Sequence, residues 1–273
     1  MKKIVVPVDF SEQSEFALKV AASLAKKHKS EILVLHMLEL NQAMATSSEG
    51  FHPEQTVFLI KLAEKRFKEF LEKPYLNGVE ITPVIKHFKV FSEVNDVAKK
   101  NKADIIVMGS HGTDGLKEIF VGSNAERVVR NAEIPVLVIK KEHLNFTADK
   151  FLFASGFNDE SLEAFQKAKQ FAALLSAELK LVYINTPGDD FLSTSDAQER
   201  ISQFLGKAGV ETKVDIYNDY SVEKGILNYG DKIGADIIGI STHGRKGLSH
   251  FFMGSIGEDI ANHSNVPVVT FRI

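Results

Sequence analysis

A chain of 273 residues is too long for one ordinary small domain and fits two domains of moderate size. Its 44% hydrophobic and 25% charged residues are typical of a folded protein, and a net charge of −3 excludes a general electrostatic attraction to nucleic acid. The absence of cysteine excludes disulfide bonds and thiolate chemistry. The first apolar run stops at Pro7 and Asp9, too soon for a signal peptide, and no apolar run is long enough to span a bilayer. We therefore expect a cytoplasmic protein with no nucleic-acid or membrane partner.

The first half of the chain alternates predicted strands and helices. A buried strand is predicted at residues 4–8, and Ser11 is a natural N-cap for an amphipathic helix at 11–27. The polar stretch 39–55 is predicted to be a loop. Further apolar runs predict strands at 31–38, 79–87, 105–108 and 135–139, and helical periodicity predicts helices at 57–73, 92–102 and 121–131. This order favours an α/β fold with a parallel, doubly wound sheet.

The second half begins the same alternation again. A strand is predicted at 151–154, a helix at 159–175, a strand at 178–184 and a loop at 186–197. The unit is completed by the segments 210–217, 222–233, 235–240, 254–263 and 267–271.

The alternation is also an internal repeat at the level of residues. Ala103-Asp104-Ile105-Ile106 recurs as Ala235-Asp236-Ile237-Ile238, and the pairs His111-Gly112 and Gly122-Ser123 recur as His243-Gly244 and Gly254-Ser255. The repeat predicts two homologous domains, 1–141 and 151–273, joined by a linker at 142–150.

The glycines after the strand at 105–108 are the first candidate site. Gly109 and Gly112 end this strand, and Gly122-Ser123 opens the next helix. In a doubly wound sheet, ligands bind outside the carboxyl ends of the strands. Glycines allow close backbone approach, and a helix N-terminus offers unpaired N–H groups to an anion. The alternative is that these glycines only turn the chain out of the strand, because short glycine motifs have many false positives.

Asp9 is the second candidate, because it follows the first strand at its carboxyl end. Its carboxylate could cap the following helix or could bind a ligand, as an acidic residue binds ribose in dinucleotide folds. The repeat favours the ligand: Ser11 and its counterpart Asn158 keep the cap in both halves, whereas Gly156 replaces Asp9 in the second.

Other residues support binding better than catalysis. His111 and His243 lie in the glycine loops and could contact phosphate, whereas we expect His36 to pack as a strand residue near the site. No histidine pair has the helical spacing of a zinc site, so no metal site is expected. The sequence also lacks a P-loop, a dinucleotide glycine motif after the first strand and a nucleophile elbow.

Together these residues resemble the universal stress protein family in its tandem two-domain form. The family motif Gly-x2-Gly-x9-Gly-Ser/Thr is met by Gly109, Gly112, Gly122 and Ser123, and the opening from Val6 to Ser11 is also similar. The resemblance implies two five-stranded parallel sheets with helices on both faces, and ATP binding in the motif-bearing half, with Mg²⁺ left open. It implies a nucleotide-binding site formed by Pro7, Val8, Asp9, Leu38, Met108, Gly109, His111, Gly112, Gly122, Ser123 and Asn124.

The resemblance also sets expectations for the second half and for assembly. Ser241 replaces the first motif glycine and Gly156 replaces Asp9, so the second half is expected to bind ATP weakly or not at all. The last strands of the two halves are expected to pair as an internal pseudo-dimer, and a further homodimer stays open. The implied role is a nucleotide-dependent regulator of the stress response.

Two alternatives to that role remain. The first is a slow ATPase or nucleotidyl-transfer enzyme on the same fold, since Ser155-Gly156-Phe157-Asn158-Asp159 faintly resembles the Ser-Gly-Gly-x-Asp loop of ATP pyrophosphatases, although Phe157 breaks the pattern. The second is a module that binds another small molecule through the loop at 39–55. No catalytic residue is assigned.

Overall fold

The computed structural model describes residues 1–38, 53–87, 90–110, 123–188, 191–242, 260 and 263–272. The strands of the first half are β1 (Lys3–Val8), β2 (Glu31–Leu38), β3 (Glu80–His87), β4 (Ile105–Gly109) and β5 (Val136–Ile139). Those of the second half are β6 (Lys150–Ala154), β7 (Glu178–Asn185), β8 (Val214–Asn218), β9 (Ile237–Thr242) and β10 (Val268–Arg272).

These strands form one ten-stranded sheet in the order β3-β2-β1-β4-β5-β10-β9-β6-β7-β8. Each half has the same internal order, and its strands are parallel. The prediction of two repeated, parallel, doubly wound units is confirmed.

Helices cover both faces of the sheet. In the first half they are α1 (Glu12–His28), α2 (Pro53–Leu71), α3 (Val90–Lys100) and α4 (Ser123–Asn131), with a 3₁₀ turn at Pro74–Leu76. In the second half they are α5 (Leu162–Leu175), α6 (Thr194–Ala208) and α7 (Val222–Ile233), with a 3₁₀ turn at Asp159–Ser161. As predicted, Ser11 caps α1, and its side chain accepts a hydrogen bond from the backbone N–H of Ser14.

The predicted loop at 186–197 was wrong at its end. Helix α6 begins at Thr194, where the Ser193 hydroxyl accepts a hydrogen bond from the N–H of Asp196. The buried residues Ala197, Ile201 and Phe204 have i, i+4, i+7 spacing, which is the helical signal that this polar segment does contain. Likewise, α2 begins at Pro53, inside the predicted loop at 39–55; positions 39–52 of that loop lie outside the described residues.

The repeated aspartates stabilise the amino ends of the strands. The carboxylate of Asp104 accepts hydrogen bonds from the backbone N–H groups of Lys2 and Lys3. Asp236 does the same for Asp149 and Lys150, at 2.9 and 2.8 Å. This part of the sequence repeat therefore maintains the sheet.

The two halves join through an antiparallel pair of strands. Val268 and Thr270 of β10 lie opposite Val138 and Val136 of β5, so the carboxyl end of β10 lies beside the amino end of β5. One hydrophobic cluster crosses this seam and includes Ile139 of the first half and Phe271 of the second. The predicted pairing of the last strands is confirmed. Within the ranges given above, no helix is both long and apolar enough to cross a bilayer.

Candidate functional site

The topological switch point of the first half lies between β1 and β4. From β1 the chain moves outward to β2 and β3, and then returns to the other side of β1 as β4. Asp9 directly follows β1, and Gly109 is the last residue of β4. The structure therefore brings the two leading candidates to the same end of neighbouring strands, where ligands bind in sheets of this class.

Pro7 ends the hydrogen-bond ladder between these two strands. The carbonyl of Lys3 accepts from the N–H of Asp104, and that of Lys2 accepts from the N–H of Glu31. Backbone groups of every second residue point to the same neighbouring strand, so those of Pro7, like those of Lys3, point to β4. Proline, however, has no N–H to donate. The ladder accordingly stops after the pairs Ile4–Ile105 and Val5–Ile106.

The second half supplies an internal comparison for Pro7. Ala154 occupies the corresponding last position of β6 and retains its N–H. There the ladder with β9 runs one pair longer, to Phe153–Gly239. The β1–β4 ladder therefore ends early because of one residue type at one position, and the stretch of the two strands beyond Val5 and Ile106 is called the gap in the ladder below.

Asp9 shapes the turn that leads into α1. Its Oδ1 atom accepts hydrogen bonds from the backbone N–H of Ser11, at 3.0 Å, and from the Ser11 hydroxyl. Ser11 in turn caps the helix. Capping and ligand binding are thus not exclusive: the carboxylate orients the cap residue, and it does so at the end of β1.

Phe10, between these two residues, has a left-handed backbone with φ of 66°. Its counterpart Phe157 has φ of 48°, so both halves hold a strained aromatic residue at this turn. The ring of Phe10 packs against His36 at a centroid distance of 4.4 Å and against Phe67 of α2 at 5.3 Å. This aromatic cluster fixes one side of the site.

His36 lies on β2 beside the end of β1, as expected from the sequence. Its Nδ1 atom lies 2.8 Å from the carbonyl oxygen of Val8, which can only accept, so Nδ1 donates. Burial of the ring lowers the pKa of His36 below its ordinary value of 6.5, although the bond to Val8 acts in the opposite direction. His36 therefore joins β1 and β2 by a side-chain hydrogen bond next to the candidate site.

Gly109 is required for close packing. A Cβ atom added there would lie 2.7 Å from the carbonyl oxygen of Gln13 and 2.8 Å from its carbonyl carbon. The first turn of α1 thus presses directly on the end of β4. This contact could not be predicted from the sequence, because Gln13 is far from Gly109 along the chain.

The remaining predicted residues divide into two groups. Leu38 and Met108 are buried, at 9% and 6% exposure, and lie at the carboxyl ends of β2 and β4. His111, Gly112 and Gly122 lie outside the described residues, as do the side chains of Ser123 and Asn124. Ser123 is the first residue of α4.

The second half is built differently at the corresponding end. Asn158 caps the 3₁₀ turn with a reciprocal pair of hydrogen bonds to Ser161, as its position in the repeat predicted. Phe157 is buried against Phe204, so the segment that resembles a pyrophosphatase loop is a helix start with an aromatic anchor.

Sequence reasoning missed Asn185, the counterpart of Leu38. Its side-chain amide donates to the carbonyl of Leu192 at 3.0 Å, and its Oδ1 accepts from the N–H of Leu192 at 3.1 Å. A second contact joins it to Asn218. The signal available in the sequence was the difference between the repeats, since an apolar residue in the first half is replaced by an amide in the second. The amide binds the following loop to the end of β7.

Among the residues that the structure describes, no group of three or more His, Cys, Asp or Glu side chains could hold a metal ion. A groove of about 650 Å³ lies between α6 and β8, and its lining includes Ile201, Leu205 and Glu211 but none of the predicted site residues.

Comparisons with known proteins agree with the architecture. The family model described as the universal stress protein family matches residues 1–140 and 147–272. The universal stress protein MJ0531 of Methanocaldococcus jannaschii is 35% identical over 140 residues, which are 51% of this chain and 82% of that protein. The universal stress protein Slr1230 of Synechocystis sp. is 25% identical over 299 residues, covering 100% of both chains. A crystal structure of a universal stress protein from Archaeoglobus fulgidus has a TM-score of 0.70 and 25% identity, covering 99% of this chain and 96% of its own.

Proposed function

Since the chain belongs to the universal stress protein family, in its tandem two-domain form, we propose that its first half binds ATP and that the bound nucleotide controls a regulatory role in the stress response. We also propose the division into domains 1–141 and 151–273 with a linker at 142–150.

One observation carries this proposal: Pro7 ends the β1–β4 ladder early, and Asp9 and Gly109 lie at the two strand ends beside that gap. A nucleoside suits these strand ends because its ribose hydroxyls can donate hydrogen bonds to the carboxylate of Asp9. The glycine at 109 lets the first turn of α1 pack on the end of β4, so the start of α1 and the ends of β1 and β4 lie together at this point. The residues therefore suit the ligand that the family resemblance implies.

In this proposal the adenine lies against the main chain of Val8 and Leu38, and Asp9 accepts a hydrogen bond from the ribose. The main chain from Met108 through Gly109 to His111 and Gly112 approaches the ribose and phosphates. The start of α4, with Gly122, Ser123 and Asn124, would hold the phosphates, because a helix N-terminus favours anions. When Mg²⁺ accompanies ATP, it would arrive on the triphosphate.

The second half is proposed to bind ATP weakly or not at all. Gly156 stands where the first half has the carboxylate of Asp9, and Ser241 has a side chain where the first half has Gly109. Ala154 keeps the backbone N–H that Pro7 lacks, and the β6–β9 ladder runs one pair longer than the β1–β4 ladder. Asn185 also binds the following loop to the end of β7; its counterpart in the first half is the apolar Leu38 at the end of β2.

The test is to denature freshly purified protein and identify released nucleotides by mass spectrometry, and then to titrate the emptied protein with ATP by calorimetry. The variant Asp9→Asn keeps the Oδ1 acceptor for Ser11 and removes the charge, so it separates ligand binding from helix capping. Asp149→Asn makes the same change at the exposed residue before β6 and is the matched control.

We expect ATP or ADP to be released by the parent and by Asp149→Asn, and Asp9→Asn to release less and to titrate about tenfold more weakly. No affinity for ATP in the parent would refute the proposal. Phosphate release measured on the same samples tests the ATPase alternative, which requires steady turnover that Asp9→Asn abolishes.

A further inference from the structure

One side chain of the second half reaches across the seam into the first. The guanidinium of Arg272, at the end of β10, donates from Nη1 to the carbonyl oxygen of Asn131 at 3.1 Å. Asn131 is the last residue of α4. The contact follows from the antiparallel β5–β10 pair, because that pairing brings the carboxyl end of β10 beside the amino end of β5, which α4 precedes.

Helix α4 is short and depends on contacts at its ends. It has nine residues, and an isolated helix of this length is marginal in water. Its last carbonyl groups have no partner within the helix and carry the negative end of the helix dipole. A guanidinium at this position satisfies one of these carbonyls and complements the dipole.

Arg272 is itself held from the second half. Its backbone carbonyl accepts a hydrogen bond from the ammonium of Lys167 on α5, and its strand pairs with β9 up to Thr242. The first half supports the same region after the helix, where the N–H of Glu133 donates to Asn95 of α3 at 3.1 Å. The C-terminal end of α4 is thus clamped from both domains.

The opposite end of α4 begins at Ser123, in the motif proposed to hold the phosphates. A helix transmits a displacement of one end to the other when its hydrogen-bond ladder stays intact. We propose that Arg272 is a positioning residue for ATP: a residue of the second domain fixes the helix whose N-terminus receives the phosphates in the first. This inference rests on the proposed function, and it gives the second domain a role that requires no ligand of its own.

The test compares Arg272→Ala with Lys141→Ala in the full chain. Lys141 is the matched control, because its ammonium also crosses the seam, to Asn265 at 2.7 Å, but it does not cap α4. Each protein is titrated with ATP and, separately, with adenosine, which lacks phosphates. Arg272→Lys retains the charge without the planar donor group and serves as a second variant that disturbs the seam less.

We expect Arg272→Ala to weaken ATP binding about threefold to tenfold, with adenosine binding unchanged. Arg272→Lys should fall between the parent and Arg272→Ala, and Lys141→Ala should match the parent with both ligands. A purely structural role would weaken both ligands equally in Arg272→Ala, and that result would overturn the inference, as would an unchanged affinity for ATP. A parent protein that binds neither ligand would instead overturn the proposed function and the inference with it.

Discussion

The packing of Gly109 against α1 yields a quantitative prediction. In Gly109→Ala the new Cβ would lie 2.7 Å from the carbonyl oxygen of Gln13 and 3.1 Å from its Cβ. Because nonbonded contacts are most favourable near ~3.5 Å, the end of β4 and the first turn of α1 would have to separate by several tenths of an ångström. The closest atoms belong to backbone, so a change of side-chain rotamer cannot relieve the overlap.

Overpacking of this kind costs about 1–3 kcal/mol of unfolding free energy. Replacing glycine also restricts the unfolded chain, which returns about 0.4–1 kcal/mol. The control Gly156→Ala gains the same entropic term without the overlap, since its Cβ would meet nothing closer than 4.0 Å. The difference between the two alanine variants is therefore expected to be ~1–3 kcal/mol, with Gly109→Ala the less stable.

Urea unfolding followed by circular dichroism, without nucleotide, measures this difference. Comparable slopes of free energy against urea concentration in the two variants would show that the same structure unfolds. If Gly109→Ala were as stable as Gly156→Ala, the close approach of β4 to α1 would not exist in solution.

Three further predictions concern Pro7, His36 and Asp236. Pro7→Ala restores an N–H toward β4, so ATP must displace one more ladder hydrogen bond and calorimetry should show about twofold to tenfold weaker binding; unchanged affinity would contradict the role of the gap. Burial lowers the pKa of His36 in the folded protein. Its contribution to stability is therefore fully present at a pH above the ordinary pKa of 6.5, and it is lost as the pH falls, because the unfolded chain then binds the proton more readily. Urea unfolding at pH 7.5 and 5.5 should therefore show a smaller loss in His36→Gln than in the parent, by at most ~1.4 kcal/mol per pH unit, and equal losses would refute it. Asp236→Ala leaves two backbone N–H groups without their acceptor and should cost ~1–2 kcal/mol in urea unfolding, similar to Asp104→Ala; a cost confined to one half would show that the repeat is not structural.

The elements that the sequence predicted well are those with a strong local pattern. The strands ending at Val8 and Ile139 are short apolar runs, and α1 combines a cap with an apolar stripe. Helix α6 was missed because its buried side has only a few apolar residues, among them Ala197 and Phe204, in a polar stretch that follows a Pro-Gly turn. Local pattern thus fails where a helix buries little surface.

The position of the proposed site is a prediction from the sequence, whereas the contacts around it are seen only in the structure. Asp9 and Gly109 were proposed because each lies at the end of an apolar run, and the fold class places such positions together. That Pro7 faces β4 depends on the order of strands in the sheet, and the contact of Gly109 with Gln13 depends on how α1 crosses them. Arg272 could not be found from sequence, since its partner Asn131 becomes a neighbour only when β10 pairs with β5.

The repeat itself shows where the two halves diverged. Positions that support the sheet and its turns are maintained: Asp104 has the same hydrogen bonds as Asp236, and Phe10 has the same left-handed backbone as Phe157. Three positions that differ, those of Pro7, Asp9 and Gly109, all lie at the carboxyl ends of β1 and β4. In the first half these are the residues proposed to receive the nucleotide, and their replacements Ala154, Gly156 and Ser241 are the reason that no comparable site is proposed in the second half. Arg272, which caps α4 across the seam, then gives the second half a role in the proposed site of the first.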